Sequence, residues 1–130
     1  MMKRTHLIIG VAITAPLIIY NPISVFGLIG AYAPDFDIKL GIKHRTITHS
    51  FLMLGITTFI ISILDPTIGF AWFLNYLSHL LADSLTVMGV PFLYPFKKKR
   101  YGLKIFKTGD LGDYIFQFIS IAYIFIIFFK

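Results

Sequence analysis

The sequence contains no cysteine and few charges: Asp, Glu, Lys and Arg together make up 14% of its 130 residues. Without cysteine there is no disulfide framework, and thiolate zinc sites are excluded, so any metal must be held by His, carboxylate and water. No phosphate-cradling Gly-rich loop, dinucleotide fingerprint or serine-nucleophile elbow occurs. The early apolar run breaks at Pro16 and at Asn21-Pro22, which does not suit the continuous apolar region of a cleaved signal peptide, so the N-terminal segment is expected to stay in the mature protein. There is no internal repeat and no low-complexity linker, and residues 1–130 are expected to form one domain.

Apolar surface is what the chain has in excess. Hydrophobic residues are 57% of it, against about 45–50% in an ordinary soluble domain, and Phe alone occurs 14 times. The final stretch IFQFISIAYIFIIFFK is apolar around its whole circumference, as expected for a helix facing lipid. The net charge of +6 does not point to nucleic acid, because cytoplasmic loops that retain Lys and Arg explain a basic excess in a membrane protein more simply.

The apolar runs and their breakers predict an all-α, polytopic membrane bundle of about five helical segments, at 5–19, 23–33, 46–64, 68–88 and 111–129. Turns at Asn21-Pro22 and Asp65-Pro66-Thr67 divide the first pair and the third from the fourth. The last three segments are long enough at about 1.5 Å per residue to cross a core of about 30 Å, whereas the first two are too short to cross alone. If the segments run antiparallel, one face collects His6, Asp35, Asp37, His44, His49, His79, Asp83, Asp110 and Asp113. Eleven of the twelve basic residues gather there too, all except Lys130, which makes that face cytoplasmic by the positive-inside rule. Loop length alone produces part of this asymmetry, but His79 and Asp83 sit inside an apolar run, where an ionisable side chain is costly without a partner or a cavity.

Within NYLSHLLADSLT, Asn75, His79 and Asp83 fall at i, i+4 and i+8 and share one helix face, so an imidazole and a carboxylate can reach the same ion. The bland alternative is a His–Asp pair that only joins helices. Asp35, Asp37, His44 and His49 lie within fifteen residues in APDFDIKLGIKHRTITHS. Pro34 makes an irregular turn there, in which one aspartate can be a ligand while the other orients a neighbouring His, or both can serve as turn and capping groups. His49 is placed to look into the bundle, with Thr46 and Ser50 beside it; His44 and Arg45 sit at or before the first turn. Arg45 and the basic stretch 97–107 suit a phosphate, and equally topology or anionic lipid. Asp113 suits a first-turn acid. The donor inventory fits zinc, manganese or iron in an open site that activates water for attack on an ester or phosphoester.

At these residues the chain resembles the YdjM-type family of inner-membrane proteins, whose members are assigned by motif as metal-dependent hydrolases. The resemblance runs almost end to end. Thr5-His6, APDFD at 33–37, HRTITHS at 44–50, YLSHLLADSLTVMGVPFLYPF at 76–96 and TGDLGD at 108–113 correspond in turn to the family's TH, PDxD, HRGxTHS, YLSHxxxDxxTxxGV and TG-containing elements. Departures are Ile38 where His is frequent, Thr46 for Gly, Asn75 for Gly and Val87 for Pro. The resemblance implies a site made of His6, Asp35, Asp37, His44, His49, His79 and Asp83, with Asp113 in place of a Glu. Its pattern is similar in style to zinc-dependent phospholipase C.

The resulting expectation is a hydrolase at the cytoplasmic face of the inner membrane, acting on a phosphoester or lipid-like substrate. His6, Asp35, His49, His79 and Asp83 are expected to bind a divalent metal, zinc before manganese or iron. Asp37 and His44 orient ligands or move protons, Arg45 steadies substrate charge, and Asp113 completes the catalytic set. The competing expectation is a non-enzymatic metal carrier or scaffold; a carrier needs ionisable residues deep in several spans, and the far half of 46–64 and the depth of 111–129 have none.

Overall fold

The computed structural model describes residues 1–39, 41, 43 and 45–130. Its α-helices are α1 (Lys3–Tyr20), the single turn α2 (Phe36–Lys39), α3 (Phe51–Leu64), α4 (Pro66–Ser84) and α5 (Leu111–Phe129). Tight 3₁₀ turns occupy Pro22–Ala31, Ala33–Asp35 and Ile47–His49. No strand occurs among the described residues; two isolated bridges, Val90 with Tyr101 and Thr86 with Phe106, fold the 85–110 loop back on itself. α4 is the central element, touched by α1, α3 and the Pro22–Ala31 segment, and α5 packs along α1.

The expected breakpoints are where the chain turns, and the side chains there explain why. Asp65 caps α4 by accepting from the backbone N–H of Thr67 and Ile68, with Pro66 at the first helical position. Asn21 accepts from Ile23 N–H and starts the 3₁₀ segment. That segment is long for its type, since 3₁₀ runs beyond about three or four residues are uncommon. Its sequence accounts for it: Ser24, Gly27 and Gly30 recur every three residues, the 3₁₀ period, and all are buried. A Cβ on Gly27 would stand 2.4 Å from the Ala71 Cβ, and one on Gly30 2.7 Å from the Trp72 carbonyl oxygen, so this stripe lets backbone lie against α4.

Two helices among the described residues, α1 and α5, have the length and apolar composition to cross a membrane, which corrects the expected set of three. The third segment is shorter than expected because Ser50 accepts from Met53 N–H and begins the helix at Phe51, leaving 14 residues, about 21 Å. α4 has 19 residues, but Asn75, His79 and Asp83 are among its buried positions, so its polarity is turned inward and its composition is not that of a span. α1, expected at 5–19 and too short to cross alone, runs 18 residues because it starts earlier, at Lys3, and ends at Tyr20, with Pro16 inside it. α5 is inside-out relative to a soluble helix: its two buried residues are Asp113 and Ser120, while Phe118, Phe125 and Phe129 face outward.

Candidate metal centre

His79 and Asp83 lie one turn apart on α4, fully enclosed, with Nε2 of the imidazole 3.6 Å from Asp83 Oδ2. The other ring nitrogen, Nδ1, is 2.7 Å from the carbonyl oxygen of Ala31 at the end of the 3₁₀ segment. A carbonyl only accepts, so Nδ1 carries the proton and the lone pair of the neutral ring is on Nε2. That nitrogen is buried without a hydrogen-bond partner among the described residues.

His49 is fixed by the same logic from the other side of the site. It ends the Ile47–His49 turn, which Tyr76 ties to α4 by donating its hydroxyl to the Thr48 carbonyl. Thr48 donates its hydroxyl proton to Asp37 Oδ2 at 2.9 Å, so its oxygen accepts from His49 Nδ1 at 3.1 Å. Asp37 Oδ2 is itself 3.6 Å from that nitrogen. His49 Nε2 then faces Asp35 Oδ1 at 3.7 Å and Asp83 Oδ2 at 3.5 Å. His79 Nε2 is 3.6 Å from the same Asp35 oxygen.

Asp35, His49 and His79 thus offer ligand atoms within 4.8 Å of one another, with Asp83 Oδ2 facing both imidazoles, and the spacing is informative. Separations of 3.5–3.7 Å are longer than the roughly 2.9 Å of a made N–H···O bond. Donors held about 2.1 Å from one ion at tetrahedral angles stand about 3.4 Å apart. The spacing of Asp35, His49 and His79, with Asp83 beside both imidazoles, is thus closer to that of ligands around a divalent cation than to that of hydrogen-bonded pairs.

Asp83 is two-sided. Its Oδ2 faces His49 and His79, whereas Oδ1 takes His6 Nε2 at 3.1 Å, Arg45 Nη2 at 3.0 Å and the Met1 ammonium at 2.5 Å. His6 also stacks on His79, ring centroids 3.7 Å apart and planes at 15°. His6, His79 and Asp83 form a second group whose ligand atoms lie within 4.8 Å of one another, so His6 is a fifth candidate donor. Among the described residues, the Arg45 guanidinium and the Met1 ammonium lie on Asp83, the carboxylate that also faces three imidazoles.

Arg45 is buried, although its sequence neighbourhood is polar. Its φ of 57° lies in the left-handed region, and its contacts hold it there. The backbone N–H donates to Asp37 Oδ2, and Nη1 donates to Thr86 Oγ1 at 3.0 Å and to the Gly89 carbonyl at 3.1 Å. The guanidinium thus spans from Asp83 to the loop after α4.

Other expected site residues are placed elsewhere or not described. Asp113 is buried at the start of α5, where Oδ1 accepts from Met2 N–H and Oδ2 from Gly109 N–H, so among the described residues it is held by backbone groups and not by the imidazoles. Asn75 shares the face of His79 but donates to Thr14 on α1 and to the Ala71 carbonyl. His44 lies outside the described residues. Sequence reasoning missed Thr48 and the Ala31 carbonyl. Thr48 carries a local signal, a hydroxyl directly before His49 in THS, while a backbone carbonyl carries none.

The YdjM inner membrane protein family matches residues 1–129. This chain belongs to that family. It is also 33% identical over 137 residues to the uncharacterized protein YvsG of Bacillus subtilis (strain 168), covering 87% of this chain and 85% of that one. No solved structure matches the chain. Membership in an inner-membrane family agrees with the two apolar helices and with the outward Phe side chains of α5.

Proposed function

We propose that this chain is a multi-pass inner-membrane hydrolase that uses a divalent metal, zinc before manganese or iron, to cleave a phosphoester or lipid-like substrate at the cytoplasmic face. The observation that carries the reading is the convergence of Asp35 Oδ1, His49 Nε2 and His79 Nε2, with Asp83 Oδ2 facing both imidazoles and each ring's other nitrogen on a hydrogen-bond partner. An ion bound there supplies Lewis acidity and a water activated for attack on an ester or phosphoester.

The chain's own residues have separable tasks. Asp37, acting through Thr48, holds His49 in one tautomer; the Ala31 carbonyl does so for His79. The Arg45 guanidinium and the Met1 ammonium neutralise the outer oxygen of Asp83, leaving the inner one to bind, and Arg45 is the cation available to substrate charge. Asp113 pins the N-terminal backbone that closes one side of the site. The cytoplasmic orientation rests on the basic residues gathered at this end.

The test is elemental analysis of the purified protein in detergent, with His79→Ala and Asp83→Ala alongside, followed by a panel of phosphoester and ester substrates. Stoichiometric metal in the wild type, lost in both variants together with turnover, is the expected result. Metal-free, well-folded wild-type protein after reconstitution would sink the proposal. A non-enzymatic metal-holding protein is the second reading, favoured by the enclosure of the donors, of which the most accessible is Asp35 at 7%. It predicts bound metal without turnover on any substrate, and a biological role that survives Arg45→Ala.

A further inference from the structure

We propose that the cavity on the far side of Arg45 is a binding site for the phosphate group of a phosphoester. This rests on the hydrolase reading for its meaning, since it names the substrate class, but the binding is measurable without turnover. The cavity encloses about 320 Å³ and is lined by Lys43, Arg45, Thr46, Pro91, Tyr94, Lys98 and Arg100. That volume is at the lower end of the roughly 300–1,000 Å³ of small-ligand sites. Four of the seven lining residues are cationic and none is acidic, so the preferred occupant is an anion. A phosphate monoester, carrying about −1.5 to −2 near neutral pH with three strong acceptor oxygens, matches Lys and Arg donors from several directions.

The basic run at 97–100 is sorted by the backbone. Residues 97–100 are not helical, and they lead into Tyr101, which exchanges both backbone hydrogen bonds with Val90 at 2.8 Å. In an extended chain alternate side chains point to opposite sides. Lys98 and Arg100 line the cavity; Lys97 and Lys99 do not, and Lys99 instead lies over the Tyr101 ring at 5.7 Å. Gly89, at φ 61°, lets the pairing close, since a Cβ there would meet the Tyr101 carbonyl oxygen at 2.8 Å.

Arg45 joins this cavity to the candidate metal centre. Nη2 is on Asp83 and Nη1 on Thr86 and Gly89, while Nε is buried without a hydrogen-bond partner among the described residues. A phosphate in the cavity is therefore one side chain away from the donors that would act on its ester.

The experiment compares two charge-matched double variants of the full chain in detergent, Lys98→Glu with Arg100→Glu and Lys97→Glu with Lys99→Glu, by calorimetric titration. The probes are inorganic phosphate, glycerol 3-phosphate and a short-chain phosphatidic acid, with metal content read on every sample. The cavity pair should lose affinity for the phosphate-bearing probe by about tenfold or more, and the control pair by no more than about threefold. If phosphatidic acid alone shows this difference, the source is a lipid headgroup; if the soluble phosphates show it too, the source is a free phosphoester. Equal losses in the two pairs, or no binding of any probe to wild type, would overturn the proposal and leave the run as a general attraction to anionic surfaces. Failure of the hydrolase reading is distinct, being wild-type protein without metal or turnover whatever the cavity binds.

Discussion

α4 and α5 have the same length, 19 residues each, and opposite designs. α4 buries eight residues, among them Asn75, Tyr76, His79 and Asp83, and is surrounded by other elements; α5 buries only Asp113 and Ser120 and turns its aromatic residues outward. Burial in α4 is therefore where polar chemistry is assembled, and exposure in α5 is where the chain meets lipid. Hydropathy sees these as more and less apolar versions of one thing. Partners tell them apart: α4 side chains find Thr14, Ala31 and Thr48, whereas most of α5 has only the bilayer to satisfy.

The comparison breaks most visibly if a residue on α4 is truncated. His79→Ala removes the imidazole shared by both candidate donor groups and should abolish stoichiometric metal binding, while Phe118→Ala on α5 should leave metal content unchanged. Elemental analysis of the two purified variants checks this, and equal metal in both would show that α4 is packed polar surface and no more.

The converse change tests α5. Phe118 is 75% exposed, so Phe118→Arg places a cation where lipid is expected, at a cost of about 2.5–3.5 kcal/mol if the position is near the bilayer centre. The measurement is the fraction of chain recovered in washed membranes. Full recovery with unchanged extraction behaviour would mean that α5 is covered by protein.

A smaller effect separates holding a metal from orienting what holds it. Asp37→Asn keeps the shape but weakens the acceptor that fixes Thr48 and, through it, His49. Metal affinity should fall by about 10- to 100-fold without being lost, as for other residues that support a ligand. Competition with a chelator of known affinity reads it, and complete loss would make Asp37 a ligand in its own right.

The sequence made parts of this legible for definite reasons. His79 and Asp83 were readable because a helix repeats every 3.6 residues, so i and i+4 meet whatever else the fold does. Asp65 and Asn21 were readable because capping is local. The division of labour between Asp35 and Asp37 could be posed but not assigned, because it depends on how α2 and the turn before α3 curl. The spans were misread at three places: Ser50 starts α3 late, α1 begins already at Lys3, and α4 has the length but spends its polar residues inward. The 3₁₀ segment left a trace, Ser24, Gly27 and Gly30 every third residue, that a 3.6-residue search passes over. The Ala31 carbonyl and the sorting of 97–100 into two sides belong to tertiary structure alone.

The smallest expected effect lies where the two designs touch. Gln117, on the largely apolar α5, donates through Nε2 to Thr5 Oγ1 on α1 at 2.8 Å, one residue before His6. Hydrogen bonds between membrane helices are worth about 0.6 kcal/mol on average, because the separated helices find other partners. Gln117→Ala should therefore lower resistance to denaturing detergent by about that amount and leave metal content intact. If it releases metal as well, the register of α1 against α5 sets the position of His6, and the lipid-facing helix is part of the site's support.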